Sequence, residues 1–132
     1  MSDVVIISAP NGPIAIGAGL PLCIIAGPCV LESESLVMSA AEEILRCADA
    51  AGVRAIFKSS YEKDNRSLVD GYRGPGPTEG LALLAKVRNH LGIAVMSDVH
   101  RESDVQAAAD VLDVVQVPAF LCRQTDLLLA CA

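Results

Sequence analysis

The chain has 132 residues, about the size of one ordinary domain, and carries ten Lys and Arg against sixteen Asp and Glu for a net charge of −6. This acidic balance argues against a protein that binds nucleic acid or an anionic membrane through bulk positive charge. Hydrophobic residues make up 52% of the chain, charged residues 20% and aromatic residues 3%. These proportions exclude disorder and indicate an aliphatic core, which is typical of buried parallel sheet.

An uncharged stretch covers residues 4–31 and is long enough to raise a transmembrane or signal-peptide interpretation. Its prolines and glycines would break a spanning helix, and no Lys or Arg before Arg46 could form a positive n-region. We therefore expect a cytoplasmic protein without a membrane partner. The five cysteines are odd in number and lack CxxC spacing, so no disulfide framework is expected.

The amino-terminal elements are predicted from short apolar runs and turn residues. Runs at 4–8 and 14–16 flank the turn-forming residues 10–13 and predict a β-hairpin within residues 1–20. A first barrel-type strand is predicted at 22–27. A helix then follows from Ser33 to Ala51, with apolar residues at helical spacing and Gly52 as its stop.

Strands and helices alternate along the rest of the chain. The predicted elements are a strand at 53–57, a polar loop at 59–77, a helix capped by Thr78 and ended by Gly92, a strand at 93–96, a short helix at 103–109, a strand at 111–117 and a last helix from Thr125 or Asp126. This alternation indicates right-handed βαβ units and an α/β fold with a parallel sheet. A small open doubly wound sheet and half of a (β/α)8 barrel both fit the pattern.

Polar residues follow all four predicted strands of that sheet. They are Cys29 after the first, Lys58 and Ser60 after the second, Asp98 and His100 after the third, and Gln116 and Arg123 in or after the fourth. Parallel α/β sheets bind ligands at the carboxyl ends of their strands, so these residues would share one rim.

The segment 54–73 holds five of the ten basic residues against three acids, a local charge of +2. This excess predicts a pocket for phosphate or carboxylate, formed by Arg54, Lys58, Lys63, Arg66, Arg73 and, beyond the segment, Arg123. Arg66 is the strongest candidate because Asn65 and Ser67 place further donors beside it. Residues 71–77 do not have GxGxxG or Walker spacing, so nucleotide binding is not supported, and their glycines and prolines predict a defined loop path.

Cys29 differs from the other cysteines because it follows a Gly-Pro turn at the end of a strand. A thiolate there could bind a divalent transition metal together with His or carboxylate companions. His100, His90 and several acids are candidate companions, but no spacing selects among them. We interpret His90, at the end of a helix, as a partner of the helix dipole.

Several segments together resemble one enzyme family, 3-deoxy-D-manno-octulosonate 8-phosphate synthase, from about residue 21 to the last residue. They are IAGPC at 25–29, LES at 31–33, FKSS at 57–60, KDNRS at 63–67, YRGPG at 72–76, SDVH at 97–100 and QVPAFLCRQTD at 116–126. The related 3-deoxy-D-arabino-heptulosonate 7-phosphate synthases resemble the chain in the AGPC turn but carry a Lys-Pro-Arg-Thr loop in place of KDNRS.

The resemblance implies a (β/α)8 barrel, of which residues 1–132 would hold about the first four βα units after the hairpin. It also implies a homotetramer that condenses phosphoenolpyruvate with arabinose 5-phosphate in lipopolysaccharide biosynthesis. The family chain is about twice as long, so the 132 residues alone are expected to be inactive. Two alternatives stay open: a heptulosonate synthase that uses erythrose 4-phosphate, and a non-catalytic half-barrel that only binds phosphates or self-associates.

The resemblance also implies site residues. Lys58, Ser60 and Lys63 would hold phosphoenolpyruvate with Gln116 nearby, Asn65, Arg66, Ser67 and Asp98 would hold the sugar phosphate, Arg123 would reach a neighbouring subunit's substrate, and Cys29 would bind a divalent metal such as Zn, Fe or Mn. Lys58, Lys63 and Asn65 are the predicted catalytic residues. The remaining metal ligands would lie outside this chain. Asp64 and Leu68 depart from the family pattern, which has Ala and Ser there.

Overall fold

The computed structural model of the chain describes residues 4–132, so residues 1–3 of the predicted hairpin segment lie outside the described residues. The strands are β1 (Val5–Ile7), β2 (Ile14–Ile16), β3 (Cys23–Ala26), β4 (Arg54–Lys58), β5 (Ala94–Asp98) and β6 (Val114–Gln116). The helices are α1 (Glu34–Ala51), α2 (Pro77–Leu91), α3 (Glu102–Ala109) and α4 (Thr125–Cys131), with a 3-10 turn at Ala119–Leu121. Within residues 4–132, no helix has the length and apolar character needed to cross a membrane.

The last four strands form one parallel sheet in which each strand pairs with the next strand along the chain, in the order β3-β4-β5-β6. A doubly wound sheet reverses its strand order at a switch point, whereas the strands of a (β/α)8 barrel follow chain order. The observed order therefore confirms the predicted barrel-type α/β fold and removes the doubly wound alternative for the described residues.

The helices cover one face of this sheet and form the main core with it. Alternate strand residues point to opposite faces, and Phe57 of β4 and Val95 of β5 are fully buried on the helix side. Leu84 and Val87 of α2 are also fully buried in the same core. Their spacing of three residues gives α2 the apolar stripe expected of a helix that packs on a sheet.

The hairpin covers the other face at the amino-terminal end of the strands. β1 and β2 pair antiparallel, as predicted, and Ile14 is buried against Ile56 and Ala94. Arg54 Nη2 donates to Asn11 Oδ1 at 2.7 Å and to the Gly12 carbonyl at 2.8 Å. Arg54 therefore holds the hairpin, and its predicted place in a phosphate pocket is wrong because it lies at the opposite end of β4.

Element ends agree with the predictions at some positions and differ at others. Ser33 caps α1, since its Oγ accepts a hydrogen bond from Leu36 N at 3.3 Å, and Gly52 ends the helix in the left-handed conformation. The predicted Thr78 cap is wrong because α2 begins one residue earlier, at Pro77, which is favoured at the first helical position. β6 is shorter than predicted, because the backbone N–H of Leu112 bonds to the Ala108 carbonyl at the end of α3.

The outer edges of β3 and β6 have no strand partner among residues 4–132. Beside the β3 edge, Leu22, Ile24 and Ile25 are exposed. A closed barrel has no free edges, whereas an apolar open edge promotes association with another chain.

Candidate active site

The polar residues that end β4 and β5 lie on the inner face of the sheet, above the apolar layer that the hairpin covers. Lys58 is the last residue of β4 and shares the face of Ile56, while Asp98 is the last residue of β5 and shares the face of Ala94. Strand alternation therefore places a cation and a carboxylate side by side at the carboxyl end of the sheet, as predicted.

Two lysines surround the Asp98 carboxylate at moderate distances. Lys58 Nζ lies 3.5 Å from Asp98 Oδ1 and donates to Ser60 Oγ at 3.1 Å, and Ser60 Oγ in turn donates to Asp98 Oδ1. Lys63 Nζ lies 4.0 Å from Asp98 Oδ2. Two ammonium groups against one carboxylate leave a net charge of +1, which suits an anion. We call these four residues the lysine cluster.

Asp98 stays ionised in this setting. Burial raises the pKa of its carboxyl, but hydrogen bonds from His100 and Ser60 and the charges of the two lysines outweigh burial and hold the pKa well below its usual range. The carboxylate therefore acts only as a hydrogen-bond acceptor and counter-charge near neutral pH.

His100, considered from the sequence as a metal companion, is a hydrogen-bond partner of Asp98. Its Nε2 lies 3.2 Å from Asp98 Oδ2, and its ring stacks on Phe120 and meets Tyr61 edge-on. Among the described residues, no three His, Cys, Asp or Glu side chains are grouped to hold a metal ion. The signal for this contact was the two-residue spacing from Asp98, which would have placed both side chains on one side of the chain.

The loop between β4 and α2 is held by bonds across its base and to the preceding loop. Lys63 N donates to the Arg73 carbonyl at 2.7 Å, and Tyr72 Oη donates to the Leu31 carbonyl at 2.9 Å. At Gly74, where φ is +102°, a Cβ would lie only 2.4 Å from the Tyr61 carbonyl oxygen. The predicted defined loop path is thus observed, and it holds Lys63 beside Asp98.

A second contact fixes the same loop from the other side and was not predicted. Arg101, at the start of α3, donates to both carboxylate oxygens of Glu62 at 2.7 and 2.8 Å and to Asp104 at 3.2 Å. The Arg101 hydrogen bonds are the main cause of the lowered pKa of Glu62. Because Glu62 precedes Lys63, this ion pair ties the lysine cluster to the β5–α3 turn.

The predicted sugar-phosphate residues lie in the outer part of this loop. Arg66 and Ser67 line an open cavity with Val30, Glu32, Leu68, Gly71 and Tyr72, and Asn65 is exposed beside them. Val30 bridges to Ser60, so the cavity adjoins the lysine cluster. Asp98, grouped with these residues in the resemblance, lies with the lysines. Asp64 forms an ion pair with Arg73 and so partly offsets the predicted positive charge of the loop.

The other predicted residues lie at three positions along the rim. Cys29 is exposed with a free thiol, and its carbonyl accepts from Ser60 N at 3.4 Å. Gln116 ends β6 and pairs in register with Asp98. Arg123 lies on an exposed turn before α4 and, within residues 4–132, makes no ion pair with the lysine cluster.

Parallel βα units in chain order, with a positively charged cluster at the carboxyl ends of the strands, define part of a barrel protein whose candidate site faces that rim. The model of the DAHP synthetase I family matches residues 4–132. The chain therefore belongs to the DAHP synthetase I family.

Curated relatives indicate which enzymes within this family the chain resembles. The 2-dehydro-3-deoxyphosphooctonate aldolase of Geobacter sp. (strain M21) is 53% identical over 121 residues, which are 92% of this chain and 44% of that protein. Proteins of the same name from Pelobacter propionicus and Desulfotalea psychrophila are 54% and 50% identical over 92% and 97% of the chain. These relatives confirm the predicted resemblance to the octulosonate-phosphate enzymes. The chain spans less than half the length of the curated relatives it matches.

Proposed function

We propose that this chain carries the amino-terminal half of an enzyme that condenses phosphoenolpyruvate with arabinose 5-phosphate and water, giving 3-deoxy-D-manno-octulosonate 8-phosphate and phosphate. The lysine cluster is the observation that carries the proposal, because an acidic chain concentrates net positive charge at the carboxyl rim of its sheet. The names of the relatives support the substrate assignment.

The cluster would act by holding two anionic substrates together. Lys58 and Lys63 would neutralise phosphoenolpyruvate, with Ser60 holding Lys58 in place and Gln116 nearby, while C3 of the enol attacks the aldehyde carbon of the sugar. Water adds at C2 and phosphate leaves. Proximity and charge neutralisation would supply most of the rate acceleration.

The sugar phosphate would lie in the adjoining cavity. Arg66 and Ser67 would hold its phosphate, with Asn65 beside them and Asp98 at the inner end, where a carboxylate can accept from a sugar hydroxyl. The exposed position of Arg123 supports a role toward a neighbouring subunit's substrate in the homotetramer that we also propose. These charged metabolites fit the cytoplasmic location predicted from the sequence.

We further propose that Cys29 is one ligand of a divalent metal such as Zn, Fe or Mn. Its thiol is exposed, which suits such an ion, and its backbone carbonyl bonds to Ser60 N of the lysine cluster. When bound, the ion would supply polarisation of the aldehyde or activation of the water. The described residues offer no complete ligand group, and we propose that the other ligands lie outside residues 4–132.

Metal analysis of the full-length gene product tests this proposal. Cys29→Ala should lower the metal content strongly, whereas Cys47→Ala, which removes another exposed thiol on α1, should not. An unchanged metal content in the first variant would remove Cys29 from the site.

Phosphate release by the full-length gene product with a divalent metal tests the reaction. We expect turnover with phosphoenolpyruvate and arabinose 5-phosphate, and little with erythrose 4-phosphate, the substrate of the alternative heptulosonate synthase. Preference for erythrose 4-phosphate would select that alternative, and no release with either sugar would contradict the proposed function.

The 132 residues alone give a second test. We expect them to bind phosphoenolpyruvate weakly without turnover and to sediment as oligomers, because the β3 and β6 edges are open. A soluble monomer in sedimentation would contradict the association.

A further inference from the structure

His100 is a buried polar side chain that the proposed reaction does not use. Its side chain is 1% exposed, and its Nε2 lies 3.2 Å from Asp98 Oδ2. The other ring nitrogen, Nδ1, is buried and has no hydrogen-bond partner among the described residues. One nitrogen of this buried imidazole faces a carboxylate and the other is unpaired. These surroundings restrict which nitrogen carries the proton and how the ring is oriented.

The hydrogen-bond partners select one protonation state of the ring. Nε2 faces a carboxylate, which can only accept, so Nε2 carries a proton and donates it. A second proton on Nδ1 would bury an N–H without an acceptor, which is costly. These contacts therefore favour a ring that carries its proton on Nε2.

Aromatic packing fixes the direction of this donor. The ring stacks on Phe120 with centroids 6.3 Å apart and meets Tyr61 edge-on at 6.4 Å. Tyr61 is itself fully buried, so its side of the contact is rigid. His100 thus presents its Nε2–H to Asp98 Oδ2 from a preset position.

The occupied carboxylate leaves the lysines only partly engaged. His100 takes Oδ2 and Ser60 takes Oδ1 as hydrogen-bond donors, whereas Lys63 stays at 4.0 Å from Oδ2 and Lys58 at 3.5 Å from Oδ1. The two ammonium groups are therefore beyond ordinary hydrogen-bond distance from their counter-charge and keep donors for another anion.

We propose that His100 is a positioning residue that occupies Asp98 and thereby keeps Lys63 available to the anionic substrate. The inference rests on the proposed function in one respect, because it takes phosphoenolpyruvate as that anion. Without the imidazole donor, Lys63 would close onto the free Oδ2, and the site would lose part of its attraction for phosphoenolpyruvate.

Three variants of the 132-residue chain test this role. His100→Phe keeps a ring between Tyr61 and Phe120 but removes the donor, His100→Gln keeps an N–H donor at a similar reach, and His90→Gln changes the exposed histidine of α2 as a control. Amide NMR spectra identify any variant that has lost its fold. If His100→Phe is unfolded, His100→Gln and the ring measurement on the parent chain test the positioning role.

Three measurements report on the role. Nitrogen-15 NMR of the parent should show a neutral His100 with its proton on Nε2. Reductive methylation of Lys63, followed by peptide mass spectrometry, should slow in His100→Phe because an ammonium in direct contact with a carboxylate stays protonated. The dissociation constant of phosphoenolpyruvate should rise about tenfold in His100→Phe and much less in His100→Gln and His90→Gln.

The outcomes separate this inference from the proposed function. Parent-like methylation and phosphoenolpyruvate affinity in His100→Phe, or a doubly protonated ring in the parent, would overturn the positioning role. The parent chain could bind no phosphoenolpyruvate while the NMR of the His100 ring and the methylation of Lys63 are as expected. That result would support the positioning role and contradict the proposed phosphoenolpyruvate site.

Discussion

The two ends of β4 carry side chains of the same charge on the same face, yet these side chains have different hydrogen-bond partners. Arg54 begins the strand and Lys58 ends it, four residues apart, with Ile56 buried between them. Arg54 donates to a side-chain and a backbone oxygen of the hairpin at 2.7 and 2.8 Å. Lys58 faces a carboxylate at 3.5 Å that already accepts from Ser60 and His100. The cation at the amino end is thus held by short hydrogen bonds, whereas the cation at the carboxyl end retains donors.

Two aspartates repeat this contrast. Asp113, just before β6, accepts from Arg88 at 2.9 Å and from Val95 N at 2.9 Å. Asp98, at the carboxyl end of β5, instead has two lysines at longer distances. The charge at the amino end thus joins elements of the fold, whereas the charge at the carboxyl end belongs to the lysine cluster.

The largest expected effect comes from the glycines beside the two ends of β4. A Cβ on Gly27 would lie 1.9 Å from the Lys58 carbonyl oxygen, so Gly27→Ala must displace backbone at the carboxyl end. A Cβ on Gly12 would meet nothing closer than 3.9 Å, and only its φ of +102° opposes Ala. We expect urea unfolding to show a loss of about 3 kcal/mol for Gly27→Ala and about 1 kcal/mol for Gly12→Ala.

A loss at Gly27 no larger than that at Gly12 would contradict this tight approach of β3 to Lys58. The affinity for phosphoenolpyruvate should also differ between the two variants, because only the Gly27 substitution displaces a residue of the lysine cluster. We expect Gly12→Ala to retain the affinity of the parent.

Asp98→Asn tests the charge at the carboxyl end through pH. The pKa of Asp98 is well below its usual range in the fold, so its contribution to stability is complete above the usual value of about 4 and is lost as pH falls further. We expect Asp98→Asn to lower the free energy of unfolding by about 2 kcal/mol at pH 7. The difference from the parent should shrink toward pH 3, as measured by urea unfolding.

The exposed Asp70 on the β4–α2 loop supplies the matched control for this prediction. Asp70→Asn should give the same stability as the parent at each pH. A difference between parent and Asp98→Asn that stays constant from pH 7 to pH 3 would mean that the carboxylate is not preferentially stabilised in the fold.

Substituting the two cations of β4 themselves should separate stability from binding. Arg54→Met removes the hairpin contacts and should lower the free energy of unfolding by about 1 kcal/mol with unchanged phosphoenolpyruvate affinity. Lys58→Met should weaken that affinity by about tenfold, measured by calorimetric titration, with a smaller effect on stability. Equal losses of affinity in both variants would remove the functional distinction between the ends.

The sequence predicted the fold and the rim because both follow from local patterns. Apolar runs and helix caps such as Ser33 and Gly52 depend on neighbouring residues, and strand ends indicate where Lys58 and Asp98 lie. The place of Arg54 could not be predicted, because its partner Asn11 is 43 residues away. The number of basic residues in a segment also does not show at which end of a strand each of them lies.

The smallest expected effect is at the Glu62–Arg101 pair, which tests whether fixing the β4–α2 loop matters at the carboxyl end. Arg101 is about half exposed, so Glu62→Gln should lower the free energy of unfolding by only about 0.5 kcal/mol, and less at high salt.

The loop itself should respond more, because Glu62 precedes Lys63. Amide hydrogen exchange at residues 61–64 should become faster. Glu43→Gln, which breaks the exposed Glu43–Arg46 pair on α1, should leave that exchange unchanged. If both variants leave it unchanged, the backbone bond between Lys63 and Arg73 is sufficient to hold Lys63 beside Asp98.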